Sequence, residues 1–455
     1  MTRSASKKIW NFMDHVKGDK VVWIIVLLLM LLSVVFIFSS SSRLTTDEIS
    51  RLDIVKDQLL VMLIGLVLLL LTYFFIGPDF LRKWSWLGFV LSFLLLLILD
   101  MEGIGPIKAP KINGAVRFLS IGGKQLHVFE VVKVAMVMYA AWGVDKLKNG
   151  QCKLLDKLSE LKNMAWLKNG FVRRMILLYL PLGIIFVMVM KGSNSAAVFI
   201  AGILLVTMVV GTGEWKEALL IVAALAALVL IMFGINRIAA KAGMENPPFG
   251  RINTAISRLT PHNYEKEYLL ATDAETRKNA KDKLHQPYSA RIAIHQGRGL
   301  GKGPGQSTQR YVVPDMSEDY MFSFIVEEYG ILGGLIVMIL YISLVARGVL
   351  IVKSCGNNLF AQCAVFGLVL LISGQAFMHI LVNCDLGLLT GQTLPMLSHG
   401  ASAFICFSIA FGIILSISRT TSKKVDQMTK NADPLVNLIS DLEDQLLEKD
   451  EYNGI

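Results

Sequence analysis

Three carboxylates stand directly before a long apolar run, where their position suits acid–base chemistry. Asp315, Glu318 and Asp319 precede the run that starts at Tyr320. A carboxylate at the edge of a membrane-spanning segment is partly desolvated, which raises its pKa and favours proton transfer near neutral pH. Asp319 is therefore a candidate general base, and Asp315 is a candidate substrate-binding residue. A carboxylate in a loop is ordinarily solvated, so position alone leaves this plainer interpretation open.

A second group of ionisable residues lies in and before another apolar segment. Glu130 and Lys133 are three residues apart and share one face of a helix. Charges inside a spanning helix are costly and commonly functional, but two opposite charges at this spacing also form a structural ion pair. Substrate binding and structural pairing both remain open. Arg117, further upstream, is a candidate to hold a phosphate group, because a guanidinium binds phosphate bidentately.

A glycine-rich run, GRGLGKGPGQST at 297–308, invites comparison with phosphate-binding loops. The Walker pattern needs Ser or Thr after its Gly-Lys pair, with a strand before and a helix after, but here Gly303 follows Lys302. The run therefore predicts no nucleotide site. A loop whose backbone amides approach a substrate stays open, and Lys302 is a candidate to attract a pyrophosphate.

Metal-binding patterns are absent from the sequence. Its five cysteines are scattered without CxxC spacing, and there is no HExxH motif or Cys/His cluster. The sequence predicts neither a disulfide framework nor a resident metal, although a divalent cation could share the task of holding phosphate.

Apolar helices must position these residues. The chain is 54% hydrophobic and 18% charged, whereas soluble domains carry roughly 25% charge. The sequence predicts an all-α, polytopic inner-membrane protein with about ten transmembrane helices and one large extracytoplasmic loop. The candidate spans are 21–38, 58–76, 84–99, 126–144, 175–190, 196–210, 218–235, 320–346, 359–382 and 394–417.

Loop charge predicts the orientation of these spans. The net charge of +10 comes from basic residues that cluster at alternate helix ends, as the positive-inside rule requires, so nucleic acid is not a predicted partner. The predicted cytoplasmic parts are residues 1–20 and the tail 420–455. Between them lies a membrane domain, 21–419, whose loop 236–319 is extracytoplasmic.

Three segments of the chain resemble motifs of the SEDS family, which includes FtsW and RodA. The first segment is 113–135, and the second is 290–330, around Asp319. The third segment, 387–403, carries a Thr-Gly-x-x-Leu-Pro-x-x-Ser-x-Gly signature, and Ser398 in its serine position is a candidate substrate-binding residue. The matching positions of the first segment are Gly114, Arg117, Gly122, Glu130 and Lys133. The family's Gln-Pro-Ser is replaced by His127, Val128 and Phe129, its Trp by Phe118, and a glycine by Ala401.

The resemblance implies a peptidoglycan glycosyltransferase that polymerises lipid II beside a class B penicillin-binding protein and other division proteins. The family's essential carboxylate maps onto Asp319. The N-terminal extension and the tail are more similar to FtsW than to RodA, which implies a place in the bacterial inner membrane at the division septum. Two alternatives stay open: a lipid II flippase, whose charges would follow the depth of the bilayer, and a non-catalytic division scaffold.

Overall fold

The computed structural model describes most of the predicted membrane domain. The described residues are 17–41, 51–112, 115–160, 164–241, 268–270, 273–313, 315–387 and 391–432. Most of the predicted N-terminal segment and tail, much of the loop 236–319, and the motif residue Gly114 lie outside them.

Helices dominate the described residues. In chain order they are α1 (Lys20–Ser40), α2 (Arg51–Phe75), α3 (Pro78–Trp84), α4 (Leu87–Asp100), α5 (Val128–Lys148), α6 (Lys153–Ser159), α7 (Gly170–Gly192), α8 (Asn194–Thr212), α9 (Trp215–Lys241), α10 (Ala274–Gly297), α11 (Met321–Ser354), α12 (Leu359–Asn383) and α13 (Ala401–Ala432). A π-helical turn, Met175–Tyr179, lies within α7, and 3₁₀ turns occur at Ala165–Lys168 and Gln309–Tyr311.

Eight helices in the described part of the chain are long and apolar enough to cross a membrane, judged by length and composition. The pair α3 and α4, bent by 53°, adds a ninth if it is counted as one span, where the sequence predicts about ten. Helix α5, which corresponds to the predicted span 126–144, is not among them because it carries five charged residues, and most of its residues are buried against other helices. Its buried charges are paired, as with Asp145 and Arg82 at 2.6 Å. The predicted fold class, a polytopic helical membrane protein, is confirmed.

Short strands that hydropathy does not predict connect α4 to α5. They are β1 (Gly103–Ile104), β2 (Ile107–Lys108), β3 (Lys111–Ile112), β4 (Ala115–Val116), β5 (Phe118–Ile121) and β6 (Lys124–His127). Four of them form an antiparallel sheet in the order β1-β2-β5-β6, and β3 pairs with β4. In the last hairpin Lys124 of β6 pairs with Ile121 of β5. Strand β6 ends at His127, and α5 begins at the next residue.

Several predicted boundaries differ from the structure, and two of these differences reveal features that hydropathy does not predict. Helix α13 begins at Ala401, not near 394, because residues 391–400 form an irregular segment in which the Ser398 hydroxyl accepts from the backbone N–H of Leu394 at 2.9 Å. The loop predicted at 236–319 contains the end of α9 and all of α10. Hydropathy detects apolar content but not backbone form, so it missed both features.

Helix α11 is broken at Gly330, and the glycine-rich run docks into the break. Gly330 has φ 70° and ψ −174°, outside helical values. The amides of Lys302 and Gly303 donate to the carbonyls of Glu327 and Glu328, both at 2.9 Å, and Ile331 donates to the Arg298 carbonyl at 3.0 Å. These bonds replace helical ones, as buried backbone in a membrane protein requires. The amides of Lys302 and Gly303 are therefore used internally.

We expect Gly330→Ala to destabilise the protein strongly. A Cβ at this position would lie 2.2 Å from the carbonyl oxygen of Gly299, and the backbone conformation itself costs about 1–3 kcal/mol for a residue other than glycine. Thermal unfolding in detergent measures the loss. Gly183→Ala is the matched control, since a Cβ there meets nothing within 4 Å. Equal melting temperatures for both variants would contradict the structural role of the break.

Membrane orientation stays a prediction, which cysteine labelling tests directly. In a cysteine-free background, a cysteine at position 271 is expected to react with an impermeant maleimide in intact spheroplasts, whereas a cysteine replacing Gln151 should react only after lysis. The reverse pattern would place the loop 236–319 in the cytoplasm.

Candidate active site

A cavity of about 1570 Å³ opens at the end of the bundle where α11 begins, here called the Asp319 end. Helices α2, α5, α8, α12 and α13 contribute to its wall together with β6. Its apolar side includes Leu60, Ile64, Phe199 and Ile203. The volume exceeds the ~300–1,000 Å³ typical of small-molecule sites, so the cavity has room for a large amphipathic ligand.

Asp319 is half-buried and lines this cavity immediately before α11. Its backbone N–H donates to the Asp315 carbonyl at 2.9 Å, which closes a tight turn. Within the described residues its carboxylate makes no hydrogen bond or ion pair. Gly391 lies opposite, where a Cβ would come within 3.2 Å of Asp319 Oδ2. The absence of a side chain at Gly391 leaves the carboxylate open to the cavity.

The environment of Asp319 favours its protonated form. Burial, together with the negative charges of Glu318 and Asp315, raises the pKa of the Asp319 carboxyl to about 7, and the positive charge of Arg117 opposes them. A carboxylate with a pKa near 7 is ionised in part at neutral pH and is basic enough to accept a proton from a hydroxyl. The electrostatics thus suit the predicted role of general base.

Hydrogen bonds from α12 and from the irregular segment 391–400 hold the turn that carries Asp319. Asn383 donates through Nδ2 to the Asp319 carbonyl at 3.1 Å. The Ser398 hydroxyl donates to the Glu318 carbonyl at 2.7 Å, and the His399 backbone N–H donates to the Ser317 carbonyl at 2.8 Å. Ser398 is buried and does not line the cavity. The structure places this predicted substrate-binding residue behind the wall, where it fastens the Asp319 turn.

Two basic side chains line the same cavity. Arg117 and Lys124 both border it, and neither forms an ion pair within the part of the chain that the structure describes. The lining also includes three histidines and four carboxylates: His127, His379, His399, Asp57, Glu130, Glu318 and Asp319. Basic side chains in a cavity with an apolar side suit a ligand with a phosphate head and a hydrocarbon tail.

Glu130 and Lys133 form the ion pair that their spacing permits. Lys133 Nζ lies 2.7 Å from Glu130 Oε1 and donates to Oε1 of Gln375 at 2.6 Å and of Gln392 at 2.9 Å. The Lys133 side chain is 1% exposed and stands behind the cavity wall. Glu130 reaches the cavity, and its Oε2 atom has no hydrogen-bond partner. The geometry suits a structural role for Lys133 and leaves Glu130 facing a ligand.

Two other predicted residues lie away from the cavity. Lys302 Nζ pairs with the fully buried carboxylate of Glu327 at 2.6 Å, which fastens the glycine-rich run to α11. Asp315 is exposed and accepts a hydrogen bond from Gln286 Nε2 at 3.3 Å. Of the seven predicted site residues, the structure brings Arg117, Glu130 and Asp319 to the cavity. The roles assigned to all seven stay predictions.

Sequence reasoning missed most of the polar residues in the cavity wall, among them Lys124, His379, Gln392 and His399. Gln392 and His399 stand in the 387–403 motif, which gave a signal that they lie near the site. Lys124 occupies a hairpin and His379 an apolar helix, where nothing in the local pattern marks them. Among the described residues, no three His, Cys, Asp or Glu side chains cluster in a geometry suited to a metal ion.

A family model described as "Cell cycle protein", which covers FtsW, RodA and SpoVE, matches residues 19–423. The chain belongs to the FtsW/RodA/SpoVE family. The chain is 28% identical over 339 residues to the "Probable peptidoglycan glycosyltransferase FtsW" of Hahella chejuensis, with 74% of each chain covered. It is 25% identical over 370 residues to the "Stage V sporulation protein E" of Bacillus subtilis, covering 80% of this chain and 86% of that one.

Solved structures share the FtsW/RodA/SpoVE fold with this chain. A chain from a peptidoglycan synthase complex that coordinates polymerization and crosslinking superposes with a TM-score of 0.60 at 18% identity, covering 89% of this chain and 98% of that one. RodA of Thermus thermophilus gives 0.54 at 19% identity over 90% and 99%.

The departures from the FtsW/RodA/SpoVE motif cluster at the junction of β6, α5 and α13. The His127 backbone N–H donates to the Ser402 hydroxyl at 3.1 Å, and that hydroxyl donates to the Gln125 carbonyl at 3.1 Å. Phe129 lines the cavity, and Ala401 is the first residue of α13. The Ser402 hydroxyl therefore fastens β6 to α13 next to the substituted residues.

Proposed function

We propose that this chain is a peptidoglycan glycosyltransferase that polymerises lipid II into glycan strands. One observation carries the proposal: Asp319, with its pKa raised to about 7, lines a cavity that also holds the basic side chains of Arg117 and Lys124 and has an apolar side. Membership of the FtsW/RodA/SpoVE family and relatives named as glycosyltransferases support it. A lipid-linked sugar pyrophosphate has the same division into a charged head and an apolar tail.

Asp319 acts as the general base in the proposed reaction. Its carboxylate takes the proton of the acceptor's GlcNAc 4-hydroxyl while that oxygen bonds to the anomeric carbon of the donor. The bond from this carbon to the pyrophosphate oxygen breaks, and the electron pair leaves with undecaprenyl pyrophosphate. Attack and departure occur on opposite faces of the carbon, so the configuration inverts.

The leaving pyrophosphate gains negative charge, which basic side chains of the cavity offset. Arg117 is the proposed phosphate ligand, and Lys124 lines the same cavity. A divalent cation that arrives with the substrate phosphates would add positive charge at the same point. Glu130 also lines the cavity, and its buried Oε2, which has no hydrogen-bond partner among the described residues, is the proposed acceptor for a sugar hydroxyl or amide.

The distribution of charge favours a transferase over a flippase. Asp57, Arg117, Glu130 and Asp319 line the cavity, and each lies at or near the start of its helix or in a connecting segment at the Asp319 end. A flippase would need polar groups that follow the head group through the bilayer. The Asp319 carboxylate in the cavity lining and the size of the cavity also argue against a purely structural scaffold.

The proposed partner is a class B penicillin-binding protein, and the proposed setting is the division septum in the inner membrane, with both termini cytoplasmic. A similar fold occurs in a complex that joins polymerization to crosslinking, which supports the partner. Similarity to FtsW relatives supports the division role. Further division proteins would complete the assembly.

The deciding experiment incubates the purified protein with lipid II, with and without its cognate penicillin-binding protein, in the presence of penicillin. Penicillin blocks cross-linking, so any glycan ladder on a gel reports polymerisation alone. Ladders in either condition support the proposal. Movement of labelled lipid II across vesicles without polymerisation would replace it with the flippase. Inactivity in both assays would favour the scaffold.

A further inference from the structure

The first turn of α11 is capped by the neighbouring helix α12 and not by its own residues. Tyr320, at the N-cap, makes no side-chain capping bond. The Phe322 N–H donates instead to Nε2 of His379 at 3.3 Å, and the Ser323 N–H donates to Oδ1 of Asn383 at 2.9 Å. Unsatisfied amides at a buried helix start are costly, so these two side chains stabilise the turn that follows Asp319.

Both ring nitrogens of His379 are engaged. Because Nε2 accepts from Phe322, the proton must sit on Nδ1, which donates to the Gln392 carbonyl at 2.7 Å. The ring is 1% exposed, although its edge contributes to the cavity wall. A neutral imidazole is the only form that makes both bonds, since the imidazolium is a donor at each nitrogen.

Gln392 connects this histidine to the buried ion pair. Its side-chain oxygen accepts from Lys133 Nζ at 2.9 Å, while its backbone carbonyl accepts from His379. Gln375 supports the same segment by donating to the Thr393 carbonyl at 2.9 Å. A continuous set of bonds therefore runs from Lys133 through Gln392 and His379 to the start of α11.

We propose that His379 is a positioning residue that sets the location of the Asp319 carboxylate by capping α11 and anchoring it, through Gln392, to Lys133. The inference rests on the proposed function only for its effect on rate. The role of anchor also explains why the buried Lys133 lies close to the cavity without lining it. The charged groups around this unit are Asp319 and Glu318 before α11, Glu130 and Lys133 on α5, and Arg117 before β5.

Removing the imidazole is expected to loosen the Asp319 turn without removing a substrate contact. In His379→Ala the Phe322 N–H loses its acceptor, and the carboxylate becomes more solvated. A misplacement of about 1 Å costs on the order of 10²-fold in rate. The loss should fall on kcat with KM little changed, and the acid limb of the pH–rate profile should move to lower pH because desolvation of Asp319 decreases.

The experiment compares wild type, His379→Ala, His379→Gln and the exposed control His295→Ala. Polymerisation of lipid II is measured from pH 5 to 9, and hydrogen–deuterium exchange is measured on the peptide spanning the start of α11. Glutamine keeps an acceptor near the position of Nε2, so His379→Gln should recover slow exchange and part of kcat. His295→Ala should match wild type in both measurements.

Faster exchange at α11 and a shifted acid limb in His379→Ala, both reversed in His379→Gln, support the proposal. Unchanged exchange overturns it. So does a lower yield of folded protein with an unshifted acid limb, because that result means a general structural role. If the wild type itself does not polymerise lipid II, the proposed function fails, while the exchange comparison still decides whether His379 holds the Asp319 turn.

Discussion

Replacing Asp319 with alanine or asparagine is expected to lower lipid II polymerisation by about 10²–10⁴-fold, the usual range for loss of a general base. Asparagine keeps the shape of the side chain but cannot accept the proton. The carboxylate makes no hydrogen bond to other described residues, so neither variant should unfold the protein. Glycan ladders from purified variants measure the loss, and thermal unfolding checks the fold.

Neighbouring carboxylates provide matched controls for Asp319. Glu318→Gln and Asp315→Asn remove charges that raise the pKa of Asp319, so both should reduce activity only modestly and move the acid limb to lower pH. In the wild type the base is active when ionised. With its pKa at about 7, kcat/KM should fall about tenfold per pH unit below that value. Near wild-type polymerisation by Asp319→Asn would refute the assignment.

The second large effect is expected from Lys133→Met, which leaves Glu130, Gln375 and Gln392 without their shared cation. Removing one partner of a buried ion pair typically costs about 3–5 kcal/mol, because the other charge stays buried and unpaired. Lys133 is 1% exposed and Glu130 is 14% exposed, so solvent offers little compensation. We expect a clear fall in melting temperature in detergent.

A surface ion pair provides the control for Lys133. Lys191 pairs with Asp100 at 2.8 Å, but both side chains are more than two-fifths exposed, and such pairs contribute about 0–1 kcal/mol. Lys191→Met should therefore leave the melting temperature nearly unchanged. Lys133→Met with Glu130→Gln removes both charges and should recover part of the stability. A stable, inactive Lys133→Met variant would instead favour a direct role with substrate.

The membrane fold could be predicted because lipid imposes a simple requirement on sequence. Apolar runs of sufficient length predicted all eight of the described helices that could cross a membrane, and the span predicted at 126–144 corresponds to the charged helix α5. The short strands between α4 and α5 could not be found, since segments of two to four residues carry almost no periodic pattern. The break at Gly330 was equally hidden, because its cause is a run of residues about 30 positions upstream.

The candidate site was predictable only where a motif or a boundary marked it. Asp319 combines both, and the structure places it at the cavity, although its role awaits the experiments above. Lys302 illustrates the opposite case: a basic residue in a glycine-rich run suggests a phosphate ligand, but its partner Glu327 lies 25 residues away on a helix. No sequence pattern marks His379, because its proposed role depends on the backbone N–H of Phe322, which lies beside it only in the folded structure.

The broken helix α11 has a consequence for the order of membrane insertion. Its two halves expose unpaired backbone groups at Glu327, Glu328 and Ile331 until residues 298–303 reach them. The ribosome synthesises the glycine-rich run before α11, so the run has already left the ribosome when α11 emerges. In the predicted orientation, with the loop 236–319 outside, insertion of α11 into lipid before the run has crossed the membrane would leave these groups unpaired in hydrocarbon. We therefore expect translocation of this loop to be a prerequisite for stable insertion of the helix that follows it.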